Sequence, residues 1–220
     1  MRIRPKTSDD NDVNNIFWVT MTDLMTGLVL VFIVLFFYTY MTSHLDKIKQ
    51  DLAKENATKV FQETLKEKDI NATVDPITGV VKISDLELFD VNSYTLSPKG
   101  KAYLDKFAPA YINSIFSNES MSKNVAKIIV QGHTDSQTYK GEYSQDQQYM
   151  KNMDLSLNRA YAVANYMTNT SYNKTHGDKL RKMIIVEGAS FSNPILVNGK
   201  EDYAKSRRVE LKLIMKNQEG

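Results

Sequence analysis

An uninterrupted run of apolar side chains dominates the first fifth of the chain. The stretch LMTGLVLVFIVLFFYTY, residues 24–40, contains no charged residue, and apolar flanks extend it to residues 16–43. A helix of that size, at about 1.5 Å per residue, is roughly 40 Å long and can span the roughly 30 Å hydrocarbon core of a bilayer. A signal peptide has a shorter apolar core followed by small residues, whereas this run ends in bulky aromatic side chains. The pattern therefore predicts an uncleaved transmembrane helix.

The segment after the apolar run, residues 44–69, has a helical pattern of a different kind. It is rich in Lys, Glu, Leu and Ala and contains neither Gly nor Pro. Apolar side chains recur in it at helical spacing, with one interruption: Leu45, Ile48, Leu52, Phe61 and Leu65. We predict a periplasmic connector helix that loosens near residues 56–58. It would serve as a plug, as a short coiled coil of two chains, or as a solvated stalk without a partner.

From residue 70 onward, short apolar runs alternate with longer amphipathic stretches. Two helices are predicted, at residues 98–116, with Ser97 as the cap, and at residues 155–167. A hairpin turn is predicted at Thr78-Gly79. Extended pieces are predicted at residues 80–83, 86–89, 125–132, 183–188 and 208–215. Strands that alternate with helices favour an α/β two-layer sandwich.

Composition narrows the possible functions without identifying one. The 220 residues carry a formal net charge of +2 and no basic stripe with interleaved aromatics, which argues against a nucleic-acid partner. The chain has no cysteine, so disulfides, thiolate metal sites and a cysteine nucleophile are excluded. His133 stands close to Asp135 and to serines, but catalytic triads are assembled from separated positions, and no GxSxG or HExxH motif is present. We therefore predict neither an enzyme nor a bound metal or cofactor.

Asp23 is the acidic residue inside the predicted membrane helix. Acids within membrane helices are rare and usually face a protein interior or a water path, which favours a carboxylate that binds a transported ion. The alternative is a carboxylate at headgroup level, or one that stabilises the start of the helix. Thr22 and Thr26 lie beside it, and Gly27 permits close approach of another helix. We predict an ion-binding site formed by Asp23, Thr22 and Thr26, whose hydroxyls would relay a proton or coordinate a cation.

Five sequence blocks give the C-terminal region a family resemblance. In chain order they are LFDVNSYTLSPKGKAYLDKFA, IIVQGHTDSQ, NMDLSLNRAYAVANYM, IIVEGASFSNPI and SRRVELKLI. They resemble the successive blocks of the OmpA-like peptidoglycan-binding domain over about residues 70–216. The resemblance implies a mixed sheet with helices on one face, and residues 70–220 as the wall-binding domain. The insertion TYKGEYSQDQQYMK lengthens the loop between GHTDS and LSLNRA.

The same resemblance implies a set of ligand-binding residues. In that family a conserved Asp and Arg hold the diaminopimelate of the cell-wall peptide, and the motifs place them at Asp135 and Arg159. A ligand end with an ammonium and a carboxylate suits one carboxylate and one guanidinium, because arginine binds carboxylates through paired hydrogen bonds. Asn152 matches an Asn before the LS block, and Thr134 and Arg208 are further candidates. The alternatives are a surface charge for Arg159 and a structural salt bridge for Arg208.

The apolar helix has a family resemblance of its own. FWVTMTDLMTGLVLVFIVLFF is similar to the membrane block of MotB-type stator subunits, and most of all to the ZorB proteins of the Zorya anti-phage system. In those proteins the Asp of the DLMT block binds the transported ion, and it corresponds to Asp23 here. Positive charges flank the helix on both sides and leave its orientation open. Peptidoglycan lies outside the inner membrane, so a wall-binding domain implies a cytoplasmic tail, residues 1–15, and a periplasmic C-terminal region.

Together the resemblances imply a wall-anchored, ion-conducting subunit of an inner-membrane rotary motor driven by H⁺ or Na⁺. Two copies, a homodimer, would stand inside five multi-pass partner subunits of the MotA, TolQ or ExbB type, ZorA-like in a defence system. Ion flow past Asp23 would turn that ring around the anchored dimer. The alternatives are a flagellar MotB-like stator subunit and a passive peptidoglycan tether without ion flow. A TolR/ExbD-like energy transducer also has a membrane Asp, but its periplasmic domain lacks the GHTDS and LSLNRA blocks.

Overall fold

The computed structural model describes residues 9–139, 141, 143–169 and 176–216, with side chains from residue 15 onward. Residues 1–8 of the predicted N-terminal tail therefore lie outside the described residues, as do Lys140 and Glu142 of the insertion. The chain is divided into two compact units, with the boundary between Lys49 and Gln50.

The first unit is helical, and its described side chains are exposed almost throughout. Helix α1 (Asp9–Glu67) begins in this unit and contains the apolar run. Every side chain from residue 15 to residue 45 is exposed. Within the described ranges, α1 is the one helix that is long and apolar enough to cross a membrane. The predicted apolar helix is thus confirmed, and an apolar surface of this extent requires lipid or protein around it.

The second unit is built on a mixed β-sheet. The strands of this sheet are β1 (Thr73–Val74), β2 (Val81–Ser84), β3 (Val125–His133), β4 (Ile184–Gly188) and β7 (Arg208–Met215). Two further strands, β5 (Leu196–Val197) and β6 (Lys200–Glu201), form a separate small hairpin between β4 and β7. The five strands of the sheet are hydrogen-bonded in the order β1-β2-β7-β3-β4. β3 and β4 are parallel, whereas β7 is antiparallel to both β2 and β3. The mixed sheet confirms the predicted fold class.

Helices pack on one face of this sheet. The longer ones are α3 (Pro98–Ser117) and α5 (Gln145–Asn169), and the shorter ones are α2 (Asp85–Leu88), α4 (Glu119–Asn124), α6 (Gly177–Met183) and α7 (Tyr203–Ser206). The core between the two layers includes Leu104, Phe107, Ile112, Ile128, Val130, Val163, Val209 and Leu211. Side chains alternate along each strand, and the opposite sheet face carries the exposed Ile185 and Ile214 together with polar groups. On that face Lys212 donates to Gln131 at 2.6 Å, and Gln131 donates to Glu187 at 2.8 Å.

Capping side chains explain where α3 and α5 begin. Ser97 Oγ accepts a hydrogen bond from the Gly100 N–H at 2.9 Å, with Pro98 in the first turn, which confirms the predicted start of α3. α5 begins at Gln145, ten residues before the predicted start. Ser144 and Gln147 form a reciprocal capping box there, at 3.2 and 3.0 Å. The second half of the insertion is therefore helix rather than loop.

The segment at residues 86–89, predicted to be extended, is instead covered largely by the short helix α2. Asp85 and Glu87 place two acids in its first turn, where they stabilise the positive end of a helix. Leu88 is fully buried, whereas Leu86 is half exposed. Leucines at alternate positions, Leu86 and Leu88, resemble a strand pattern. A single helical turn, however, also buries Leu88 and leaves Leu86 half exposed.

The last turns of α1 belong to the core of the second unit. Ala57, Thr58, Phe61 and Leu65 are buried there. Phe61 stacks on Tyr111 with ring centroids 4.7 Å apart. The helix is continuous through residues 56–58, so the predicted loosening at that point is wrong. This part of the predicted connector is docked on α3 and is not a solvated stalk.

Candidate functional site

A cavity of about 560 Å³ opens beside α2, α5 and the ends of β3 and β7. Its polar lining includes Asp85, Thr134, Asp135, Asn152, Arg159 and Arg207. Four of these six residues are predicted site residues, so the structure brings together Thr134, Asp135, Asn152 and Arg159. The other two, Asp85 and Arg207, were not predicted from the sequence.

Close packing of β3 against α5 positions the two predicted charges. Gly132 lies next to Ser156 of α5, and a Cβ atom there would collide with the Ser156 carbonyl oxygen. The absence of a side chain at Gly132 lets strand and helix approach closely. Asp135 follows three residues later, two positions beyond the end of β3, and Arg159 lies three residues after Ser156 on the same helix face. The motif spacing thus places both charges at one rim.

Arg159 is held rigidly in the wall of the cavity. Its side chain is only 3% exposed, so it is not the surface charge considered as an alternative. Its Nε donates to the Ser93 carbonyl oxygen at 2.9 Å, and the guanidinium lies 5.3 Å from the centre of the Phe89 ring. Nη1 lies 3.0 Å from Asp85 Oδ2, an ion-pair distance without hydrogen-bond alignment. The guanidinium is therefore oriented before any ligand arrives.

Asp135 is paired with Arg207, a residue that the sequence reasoning missed. Arg207 Nη1 donates to Asp135 Oδ2, and Asp135 Oδ1 accepts from the Gln137 N–H at 3.2 Å. The Arg207 side chain is 28% exposed, so it can contact a ligand in the cavity. The signal in the sequence was the double arginine of SRRVELKLI, of which the prediction selected the second.

Arg208, the predicted candidate, is not part of the cavity lining. The backbone is extended at Arg207, so the two neighbouring side chains point to opposite sides. Arg208 Nε donates to Glu210 Oε1 at 2.6 Å, and its Nη1 donates to the Ser206 carbonyl oxygen at 3.0 Å. With its side chain 8% exposed, Arg208 has the geometry of the structural salt bridge that was considered as its alternative.

Asp85 forms the floor between the two arginines. Its side chain is 5% exposed, and Oδ2 lies 3.0 Å from Arg159 Nη1 and 3.6 Å from Arg207 Nε. Burial raises the pKa of the Asp85 carboxyl above its usual range, and the two guanidiniums oppose that rise. No motif marks Asp85, because its partners are 74 and 122 positions away in the chain.

Asn152 and Thr134 complete the polar lining. Asn152 Nδ2 donates to the Gln148 carbonyl oxygen at 3.0 Å, and its Oδ1 lies 3.5 Å from the Tyr139 hydroxyl, the donor of a long hydrogen bond. Thr134 is held by its N–H, which donates to the Ser190 carbonyl oxygen at 2.9 Å. Its hydroxyl is buried and has no hydrogen-bond partner among the described residues. A buried hydroxyl without a partner is costly, and a ligand group in the cavity would satisfy it.

The cavity is therefore lined by two carboxylates and two guanidiniums. Such a site matches a ligand end with both an ammonium and a carboxylate, because each ligand charge finds an opposite charge. A ligand with an ammonium alone would leave the occupied cavity with a net positive charge. The distal end of diaminopimelate has the required pair of charges.

The predicted ion site lies on α1 in the first unit. Thr22 Oγ1 donates to the Trp18 carbonyl oxygen, and Thr26 Oγ1 donates to the Thr22 carbonyl oxygen, both at 2.7 Å. Each proton is thus bonded to the helix backbone, which leaves lone pairs for a cation. Thr26 shares the face of Asp23, whereas Thr22 points about 100° away at 3.6 residues per turn. A Cβ at Gly27 would meet nothing within 4 Å.

Comparison with known proteins agrees with this architecture. The family model described as OmpA family matches residues 88–208. A Zorya protein ZorB of Escherichia coli strain Crooks is 33% identical over 221 residues, which cover 96% of this chain and 91% of the relative. A second Zorya protein ZorB, from Escherichia coli O139:H28, is 25% identical and covers 90% of this chain and 79% of its own.

A solved structure shares the fold. It is a MotB-like protein from Desulfovibrio vulgaris, which is 17% identical with a TM-score of 0.54. The alignment covers 80% of this chain and 98% of that one. At that identity the likeness concerns the fold alone.

Proposed function

The chain belongs to the OmpA family and to the ZorB proteins, and from this premise we propose that it is a wall-anchored, ion-conducting subunit of a rotary motor in the bacterial inner membrane. The observation that carries the proposal is the presence of two features on one chain. One is an apolar helix with an acid at Asp23, and the other is a cavity lined by the opposite charges of Asp135 and Arg159.

The cavity would bind the diaminopimelate of the peptidoglycan stem peptide. Arg159 and Arg207 would bind its distal carboxylate, and Asp135 and Asp85 would supply the opposite charge that an ammonium requires; the support for this is their common place in the cavity lining. Asn152 and Thr134 would add hydrogen bonds. This assignment requires the N-terminus in the cytoplasm and the second unit in the periplasm, because the wall lies outside the inner membrane.

Asp23 would bind the transported ion, H⁺ or Na⁺, at the interface with a partner. A carboxylate on a lipid-exposed helix is costly, so it requires a protein partner on that face. We propose a ZorA-like membrane subunit of the MotA, TolQ or ExbB type, with five copies around two copies of this chain. Each elementary charge that crosses the membrane supplies about 2.3 kcal/mol per 100 mV of potential. Anchorage to the wall would provide the fixed point against which torque acts.

Anti-phage defence is the proposed setting, because the similarity to Zorya proteins extends over nearly the whole chain. The deciding experiment co-expresses the chain with its membrane partner. It measures ion uptake into proteoliposomes with an imposed potential, and phage plaquing in cells. Asp23→Asn is expected to abolish both ion uptake and protection. The matched control is Asp46→Asn on the same helix, beyond the apolar run, which is expected to behave like wild type.

The same experiment separates a motor from a passive tether. A tether needs no ion, so Asp23→Asn would then protect cells as well as wild type does, and the motor proposal would fall. Replacing Na⁺ by K⁺ on both sides of the proteoliposome membrane identifies the ion: uptake that persists is carried by H⁺. The native mass of the purified complex tests the five-to-two stoichiometry.

A further inference from the structure

Asp85 has a place in the cavity that its sequence context does not reveal. It is the first residue of α2, directly after β2, and its backbone N–H donates to the Arg207 carbonyl oxygen at 3.2 Å. Its Oδ2 lies within ion-pair distance of both Arg159 and Arg207. Its Oδ1 is buried and has no hydrogen-bond partner among the described residues. One carboxylate thus joins three chain segments below the cavity.

Asp85 also balances the charge of the cavity. Arg207 has two carboxylate neighbours, Asp135 and Asp85, whereas for Arg159 the nearby carboxylate is Asp85. Without Asp85, two guanidiniums would face a single carboxylate. The exposed fractions of the Arg159 and Asp85 side chains are 3% and 5%, so water screens this charge poorly and its effect on a ligand is strong.

We propose that Asp85 is a positioning residue that sets the charge selectivity of the cavity: by neutralising one of the two guanidiniums, it makes the site prefer a zwitterionic ligand end over an anionic one. This inference rests on the proposed binding of stem peptides. In the balanced site every charge of a zwitterion meets an opposite charge. An end that lacks the ammonium leaves one carboxylate of the site without a partner.

The test compares two synthetic tripeptides that differ in one group. Both contain L-Ala and γ-D-Glu, followed in one by diaminopimelate and in the other by 2-aminopimelate, in which hydrogen replaces the distal amine. Their affinities for the full-length chain in detergent are measured by calorimetry. The quantity of interest is the ratio of the two affinities. A loss of packing lowers both affinities and leaves the ratio unchanged, whereas a change in site charge alters the ratio.

The expected ratios follow the charge of the site. Wild type should prefer the diaminopimelate peptide, and Asp85→Asn should reduce that preference by about tenfold. Arg207→Gln leaves an excess of negative charge and should increase the preference. The double variant, Asp85→Asn with Arg207→Gln, retains one carboxylate and one guanidinium. Its site charge is balanced as in wild type, so its affinity ratio should be near that of wild type. Asp90→Asn, an exposed acid in the same segment, is the matched control and should leave the ratio unchanged.

Each outcome decides a different point. Equal losses of affinity for both peptides in Asp85→Asn would assign Asp85 a purely structural role and overturn the inference, while the proposed function would stand. No binding by wild type to either peptide would overturn the proposed function and this inference together. If circular dichroism shows that Asp85→Asn does not fold, Arg207→Gln decides the matter: an unchanged or reduced preference contradicts the proposal.

Discussion

At the scale of single residues, the proposed wall-binding cavity is assembled from charges that are far apart in the chain. Asp85, Asp135, Arg159 and Arg207 come from four segments and line one cavity. Asp135 and Arg159 each stand in a recognisable motif and could be predicted from the sequence. Asp85 and Arg207 could not, because a motif records local spacing and says nothing of which distant charge lies opposite.

Adjacent arginines at the start of β7 are expected to have different roles. Arg208→Gln removes a buried guanidinium that bonds to Glu210 and to two backbone carbonyls. It should lower the free energy of unfolding by about 3 kcal/mol, because a buried charge partner is lost. Arg207→Gln removes a partly exposed side chain and should cost less. Urea unfolding of residues 50–220 measures both values.

The affinity for peptide should depend on the two arginines in the reverse order, with Arg207→Gln changing it more than Arg208→Gln. Folded Arg208→Gln is expected to bind the diaminopimelate tripeptide within about twofold of wild type, because Arg208 does not line the cavity. Arg207→Gln should alter binding. If Arg208→Gln instead keeps the stability of wild type and loses peptide binding, Arg208 is a ligand-binding residue.

At the scale of elements, local signals predicted those helices and strands whose ends are marked by the sequence. Ser97 and Pro98 set the start of α3, and the alternation of residues 208–215 set β7. The start of α5 was missed although Ser144 and Gln147 form a capping box, because the polar insertion resembled a loop. The docking of Phe61 was also missed: helical spacing identifies an apolar face but not the surface that covers it.

The docked end of α1 should contribute strongly to the stability of the second unit. Phe61 is 1% exposed and stacks on Tyr111. Phe61→Ala is therefore expected to lower the free energy of unfolding of residues 50–220 by about 3–5 kcal/mol, the usual cost for a buried aromatic ring. Glu63→Ala, exposed on the same helix, is the control and should change it by less than about 0.5 kcal/mol. Equal small effects would indicate a solvated stalk.

The turn between β1 and β2 should make stability depend on acid pH. The Asp75 carboxylate accepts hydrogen bonds from the backbone N–H of Thr78, the backbone N–H of Ile77 and the Lys82 ammonium. These bonds, with that of Thr78 the largest, hold the pKa of Asp75 at about 2, below its ordinary 3.8, although burial acts to raise it. The folded state therefore binds its proton less readily than the unfolded chain. This contribution, about 2 kcal/mol, is fully present above about pH 5 and is lost as the pH falls towards 2.

Comparison with a variant isolates the effect of Asp75 from other acids. Asp75→Asn keeps an oxygen acceptor for the turn but has no titrating proton. The difference in unfolding free energy between wild type and Asp75→Asn should shrink by about 2 kcal/mol between pH 5 and pH 2. A difference that does not vary with pH would show that the turn does not depend on an ionised carboxylate.

At the scale of the whole molecule, the two proposed sites lie in different compact units, with Asp23 before the boundary at Lys49 and Asp135 after it. The sequence predicted the apolar helix and the OmpA-like domain well, because an apolar run and a set of motif blocks are both strong local signals. It predicted less well where the second unit begins. Residues from Gln50 onward belong to that unit, whereas the pattern placed the wall-binding domain at residue 70.

Because the two sites belong to separate units, single substitutions should disable one biochemical activity and spare the other. Asp23→Asn should lose ion uptake but retain binding to purified sacculi. Asp135→Asn leaves Arg207 with one carboxylate fewer, and should lose sacculus binding while the chain still fractionates with membranes. Both variants should fail to protect cells from phage, since the proposed motor needs an ion path and a fixed anchor together. Sacculus sedimentation, membrane fractionation and plaquing measure these outcomes. Loss of sacculus binding in Asp23→Asn would contradict the independence of the two sites, and protection by Asp135→Asn would show that this carboxylate is not needed for anchorage.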